Sequence, residues 1–117
     1  MKKQTENIRI VSACVQVLFF KNTETGNIIA DCPVLRITSC GRTITQAKKH
    51  FHEAFCLWYE TIIEMGTIKQ ALIELGWKIY KQSIRLPKQA NFSHRNIPVE
   101  LLSTINQNFN INSAYLQ

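Results

Sequence analysis

Apolar and polar residues alternate from Ile8 to Phe20: Val11, Ala13, Val15, Val17 and Phe19 fall on one side, Ser12, Cys14 and Gln16 on the other. Period two with one apolar side predicts a long strand with a single core face. "KNTETGN", Lys21 to Asn27, reads as a hairpin loop, with Gly26 supplying a positive φ. "IIAD" is a short second strand stopped by Pro33, which cannot donate to a central ladder. "LRITS" alternates again and makes a third strand. The two short connections imply an antiparallel meander.

The period then changes. Gly41 allows a sharp exit from the strand, and Thr43 with Gln46 three residues on forms a capping box, so a helix should begin at about Ile44. Ile44, Ala47, Phe51, Ala54, Phe55, Trp58, Ile62 and Met65 recur at spacings of three and four, an apolar stripe ending at the C-cap Gly66. Lys49, His52, Glu53 and Glu60 take the opposite face. "TIKQALIEL" predicts a shorter second helix ended by Gly76, and "WKIYKQSIRL" has strand chemistry. Residues 87–98 read as loop, and "PVELLSTI", with proline at a first helical turn, predicts a short docking helix. The tail "NQNFNINSAYLQ" is asparagine-rich and ambiguous.

The expected fold is therefore α+β, in the order β-β-β-α-α-β: a three-stranded antiparallel meander, a long amphipathic helix packed on it, a short second helix and a further edge strand. Residues 1–86 form one domain, and residues 87–117 a C-terminal extension of loop plus short helix. The last strand of the domain most simply lies parallel to the first, at the sheet edge, through a right-handed crossover.

Composition supports an ordinary globular core: 117 residues, 45% hydrophobic and 19% charged. No apolar run reaches the roughly 18 to 20 residues of a membrane span. Val11 to Phe20 is interrupted by Ser12 and Gln16 and is not followed by a small-residue cleavage site, so it lacks the form of a signal peptide. The cysteines at 14, 32, 40 and 56 have no CxxC spacing, which predicts free thiols in a reducing cytoplasm and no zinc site. The net charge of +6 is regional: Lys69, Lys78, Lys81, Arg85, Lys88 and Arg95 stand against Glu74 alone in residues 69–95. Such a segment attracts phosphates or an acidic partner, or is simply a lysine-rich solvated surface.

Catalytic chemistry is sparse. His50 and His52 are two apart, about 200° around a helix, and cannot jointly hold a metal. Cys40 lies near a helix N-terminus, where thiols can become reactive, but no general base is near it in sequence. "SHR", Ser93 to Arg95, is a lone histidine in a polar loop. The first strand has no acidic residue, and Glu53, Glu60 and Glu64 fall on the solvent face, so no paired-carboxylate site is expected. Cations interleaved with Trp77, Tyr80 and Phe92 suit backbone neutralisation and base stacking, without an RNA-binding signature motif.

Cys32-Pro33-x-Leu35-x-Ile37-x-Ser39-x-Gly41-x-Thr43-x-x-x-Ala47, followed by the amphipathic helix, resembles the HicB family, the antitoxins of bacterial HicA–HicB toxin–antitoxin pairs. The resemblance covers residues 8 to about 84. It implies a truncated RNase H-like fold without RNase H catalysis, a HicA-like toxin as partner, and dimers or larger assemblies. The chain departs from the family pattern at Ile44-Thr45-Gln46, where the family has an acidic pair, in its basic charge, and in lacking a helix-turn-helix over residues 87–117. "ELGWKIYKQ" is similar to the start of HicA toxins, but their Gly-Ser-His does not follow.

The expectation is a non-enzymatic, cytoplasmic, homodimeric interaction protein without cofactor. Partner or dimer contacts are expected at the edge formed by Trp77, Lys78, Tyr80 and Lys81. The alternative is a small RNA- or DNA-binding module using Lys78, Lys81, Arg85, Lys88 and Arg95.

Overall fold

The computed structural model describes residues 10–80, 83–87 and 99–116. Its architecture is α+β. β1 (Ile10–Asn22), β2 (Ile28–Cys32) and β3 (Ile37–Gly41) form the meander; α1 (Ile44–Glu64) and α2 (Ile68–Glu74) follow; β4 (Lys78–Ile79) pairs with β5 (Ile84–Arg85); and β6 (Val99–Asn112) ends in a 3₁₀ turn, Ser113–Leu116. The main sheet has the order β3-β2-β1-β6, and every pairing in it is antiparallel.

The alternation in β1 does what its period requires. Val11, Ala13, Val15, Val17 and Phe19 are buried, and Ser12, Cys14 and Gln16 are exposed. The hairpin loop is held by Asn22, whose side-chain oxygen accepts from the backbone N–H groups of Glu24 and Thr25 at 2.9 and 3.2 Å. Gly26 takes the expected positive φ of 78°. Pro33 does end β2. The third strand starts at Ile37 rather than Leu35, because Leu35 and Arg36 complete the turn and Arg36 adopts φ 54°.

β3 ends at Gly41, two residues before the Thr43 cap. A Cβ on this glycine would lie 2.6 Å from the backbone nitrogen of Ala47, so the first turn of α1 rests directly on the strand end. Thr43 caps α1 through Oγ1, which accepts from the Gln46 N–H at 3.1 Å, while Gln46 Oε1 reaches back to the Arg42 N–H at 2.6 Å. This is a capping box displaced by one residue. Both helices end in the paired bonds of a Schellman motif around a positive-φ glycine. Gly66 and Thr67 donate to Ile63 and Ile62, and Gly76 and Trp77 donate to Ile73 and Leu72.

α1 buries Ala47, Phe51, Phe55 and Ile62 against the sheet, with Ala54 and Trp58 half-buried beside them. The ends of the stripe, Ile44 and Met65, remain exposed.

The chain after α2 departs from expectation twice. β4 and β5 do not lie along β1. Instead β4 pairs antiparallel with β5, with Lys78 opposite Arg85 and Ile79 opposite Ile84. Trp77 anchors this pair: its indole N–H donates to the Val34 carbonyl at 2.9 Å, tying it to the β2–β3 turn. The place beside β1 belongs to β6, whose ladder runs from Ile10–Asn112 to Asn22–Val99. The stretch expected as a docking helix is thus the start of this strand. Leu102 has no partner in β1, because Ser103 pairs with Phe19 and Leu101 with Phe20. That β-bulge puts two leucines in succession and masks the strand period in the sequence. Phe109 and Ile111 face the core, and Phe109 touches the rings of Phe55, Trp58, Tyr59 and Trp77 at centroid distances of 5.5 to 6.3 Å.

Candidate interaction surfaces

β6 is one of the two edge strands of the main sheet, the other being β3. Among the described residues β6 has β1 on one side and no strand on the other, where the Tyr59 hydroxyl reaches the Asn110 carbonyl. Edge strands are ordinarily blunted by lysine, proline or shortness. β6 is 14 residues long, contains no lysine or proline, and carries Glu100 as its one charged side chain. Leu101 is 55% and Leu102 38% exposed, so apolar surface lies near the bulge.

The backbone direction along this edge can be read at Asn110. Its carbonyl accepts from the Tyr59 hydroxyl, and its side-chain oxygen accepts from Ser12 Oγ at 3.0 Å. Both contacts fit Ser12–Asn110 as a non-hydrogen-bonded pair, in which backbone groups turn away from the neighbouring strand and side chains come close. By the same period, the backbone groups of Asn106 and Asn108 turn outward. The side chains of Asn106, Asn108 and Asn110 stand on the polar sheet face opposite Gln16, Cys14 and Ser12.

The residues expected to make contacts are divided by the structure. Trp77 is 2% exposed and hydrogen-bonded within the fold, which makes it a core anchor and corrects its place among the contact residues. Lys78, Tyr80 and Arg85 are exposed. The Arg85 guanidinium lies 6.0 Å from the Tyr80 ring centre, and Lys78 is directly across the ladder. Lys81, Lys88 and Arg95 lie outside the described residues, as does His94.

The remaining candidates resolve into local contacts. The His50 ring nitrogen Nδ1 meets the Cys40 carbonyl at 2.7 Å, so the fold brings a histidine to the backbone of Cys40. His52 instead meets Cys56. Burial raises the Cys32 thiol from 9.0 to about 11, which keeps it protonated at neutral pH. Asp31, buried at the strand end, accepts from Thr38 Oγ1 at 2.8 Å. Among the described residues, every buried side-chain nitrogen or oxygen has a partner, and no helix is long and apolar enough to cross a membrane. A cleft of about 170 Å³ on the polar sheet face is lined by Cys14, Gln16, Pro33, Val34, Leu86 and Pro87, with no charged group among them.

Sequence reasoning missed β6 altogether. A signal was present in "NQNFNIN": asparagine on even numbers, Gln107, Phe109 and Ile111 on odd ones, the same period two that identified β1. Comparison with protein-family models, with curated proteins and with solved structures finds no match.

Proposed function

We propose that this chain is a non-enzymatic, HicB-like antitoxin-type protein that acts by binding a small partner protein of the HicA-like class. The observation that supports the reading is the outer edge of β6, which has no neighbouring strand among the described residues and carries Glu100 as its one charged side chain. A partner strand laid along it would gain main-chain hydrogen bonds from the outward groups of Asn106 and Asn108, and the exposed Leu101 and Leu102 would supply apolar contact. A second copy of the chain would compete for the same edge when the partner is absent, which accounts for a homodimer in this reading.

The second reading, a small RNA- or DNA-binding module, is favoured by Lys78 and Arg85. Like charges directly across a ladder destabilise it, and a phosphate between them would relieve the repulsion. Tyr80 beside Arg85 offers a stacking surface.

The experiment compares the tagged full chain with an Asn106→Pro variant, each purified from native cells at moderate salt. Proline removes an outward N–H from the edge while leaving the ladder to β1 in place. A small stoichiometric protein that accompanies the parent chain and is lost from the variant supports edge binding. Salt-labile nucleic acid without a protein, retained by Asn106→Pro and lost on Lys78→Glu with Arg85→Glu, overturns it in favour of the second reading.

A further inference from the structure

His52 and Cys56 are four residues apart on α1, one helical turn, beside the buried stripe of Phe51 and Phe55. The sequence directs attention to His50 and His52, whose spacing cannot chelate; the i, i+4 partner of His52 is a cysteine. Cys56 Sγ lies 3.5 Å from His52 Nε2. In a tetrahedral zinc site the metal stands about 2.3 Å from sulfur and about 2.0–2.1 Å from nitrogen, which sets the two donors about 3.6 Å apart. The donors therefore already stand at the bite of a tetrahedral ion.

We propose that His52 and Cys56 form a two-residue chelate for a thiophilic divalent cation of the zinc class. The helix fixes their spacing. Cys56 is half-buried and packs against the core, which restrains its thiol, while the exposed His52 leaves the ion a path from solvent. A soft thiolate with an imidazole selects zinc-like ions over magnesium or calcium. Among the described residues no third histidine, cysteine or carboxylate joins the pair, so water fills the other two positions. Glu53 and Glu60, exposed on the same helix, favour a cation; Lys48 and Lys49, one turn before His52, oppose it.

Binding breaks the Cys56 S–H bond, forms the sulfur–metal bond and releases the proton to solvent, and it requires a neutral imidazole. Affinity therefore rises with pH.

The test is a Co²⁺ titration of the reduced full chain, followed by absorption spectroscopy and competition with Zn²⁺. Thiolate-to-cobalt charge-transfer absorption should appear and be displaced by Zn²⁺. Cys56→Ser should abolish it, and His52→Ala should weaken Co²⁺ binding by at least about tenfold. Cys14→Ser and Cys40→Ser should leave it unchanged, with circular dichroism showing that each variant is folded. Absence of the absorption, its survival in Cys56→Ser, or indifference to His52→Ala would each overturn the proposal and leave the pair as a hydrogen bond on a helix surface.

Discussion

Phe109 of β6 meets Phe55 of α1 with ring centres 5.5 Å apart and ring planes inclined at 62°. This edge-on contact joins the last strand to the long helix. Trp58, Tyr59 and Trp77 surround the same ring, so Phe109 is where three parts of the chain converge. Phe109→Ala should destabilise the fold by about 3–5 kcal/mol, the usual range for emptying a buried aromatic site. Urea unfolding followed by tryptophan fluorescence checks this. A loss below about 1 kcal/mol would mean that β6 is not part of the cooperative core.

Trp77 tests the placement of the β4–β5 pair. Trp77→Phe keeps an aromatic ring but removes the N–H that satisfies the Val34 carbonyl. The expected loss is about 1–3 kcal/mol, the penalty for leaving a buried acceptor unpaired. Were Trp77 a surface contact residue, the same change would leave stability untouched and impair association instead.

At Gly41, substitution by alanine should destabilise by about 1–3 kcal/mol through overpacking, because the added methyl meets helix backbone rather than a movable side chain. Gly26→Ala is the contrasting case: there is open space around its Cβ, and only the positive φ opposes the change. Thermal melts of the two variants separate crowding from backbone strain.

Cys32 should resist alkylation at neutral pH in the folded chain, whereas the exposed Cys14 and Cys40 should react. Burial raises the folded-state thiol above its value of 9.0 in the open chain, to about 11. The native state therefore holds this proton at pH values where the unfolded chain has lost it. The contribution to stability is fully present below pH 9.0 and declines as pH rises towards about 11. Denaturant midpoints measured across that interval should fall, and Cys32→Ala should remove this component of the decline.

Much of the fold was legible because local chemistry and burial agreed. The β1 alternation, the Thr43–Gln46 cap and the glycines after both helices each announce an element through a short-range rule. What stayed hidden depends on partners distant in sequence. Nothing local says that Leu102 is a bulge residue, because the bulge exists only relative to Phe19 and Phe20. Pro98-Val99-Glu100 looks like a helix start for the same reason. Among candidate contacts, Lys78, Tyr80 and Arg85 were readable as exposed from their polarity or position, but Trp77 was not readable as core. Its burial comes from Phe109 and the Val34 carbonyl, neither of which is near it in the chain.

The pairing of β1 with β6 also has a consequence in time. Ser12 and Asn110, bonded through their side chains, are separated by 98 positions. During synthesis β1 leaves the ribosome well before β6. Until β6 arrives, one flank of β1 lacks the neighbour it has in the finished sheet, while the β1–β2–β3–α1 portion can already associate through nearby contacts. Such long-range closure slows folding and leaves the nascent intermediate prone to self-adhesion. A chain halted before Val99 should therefore be the species that chaperones hold and proteases remove.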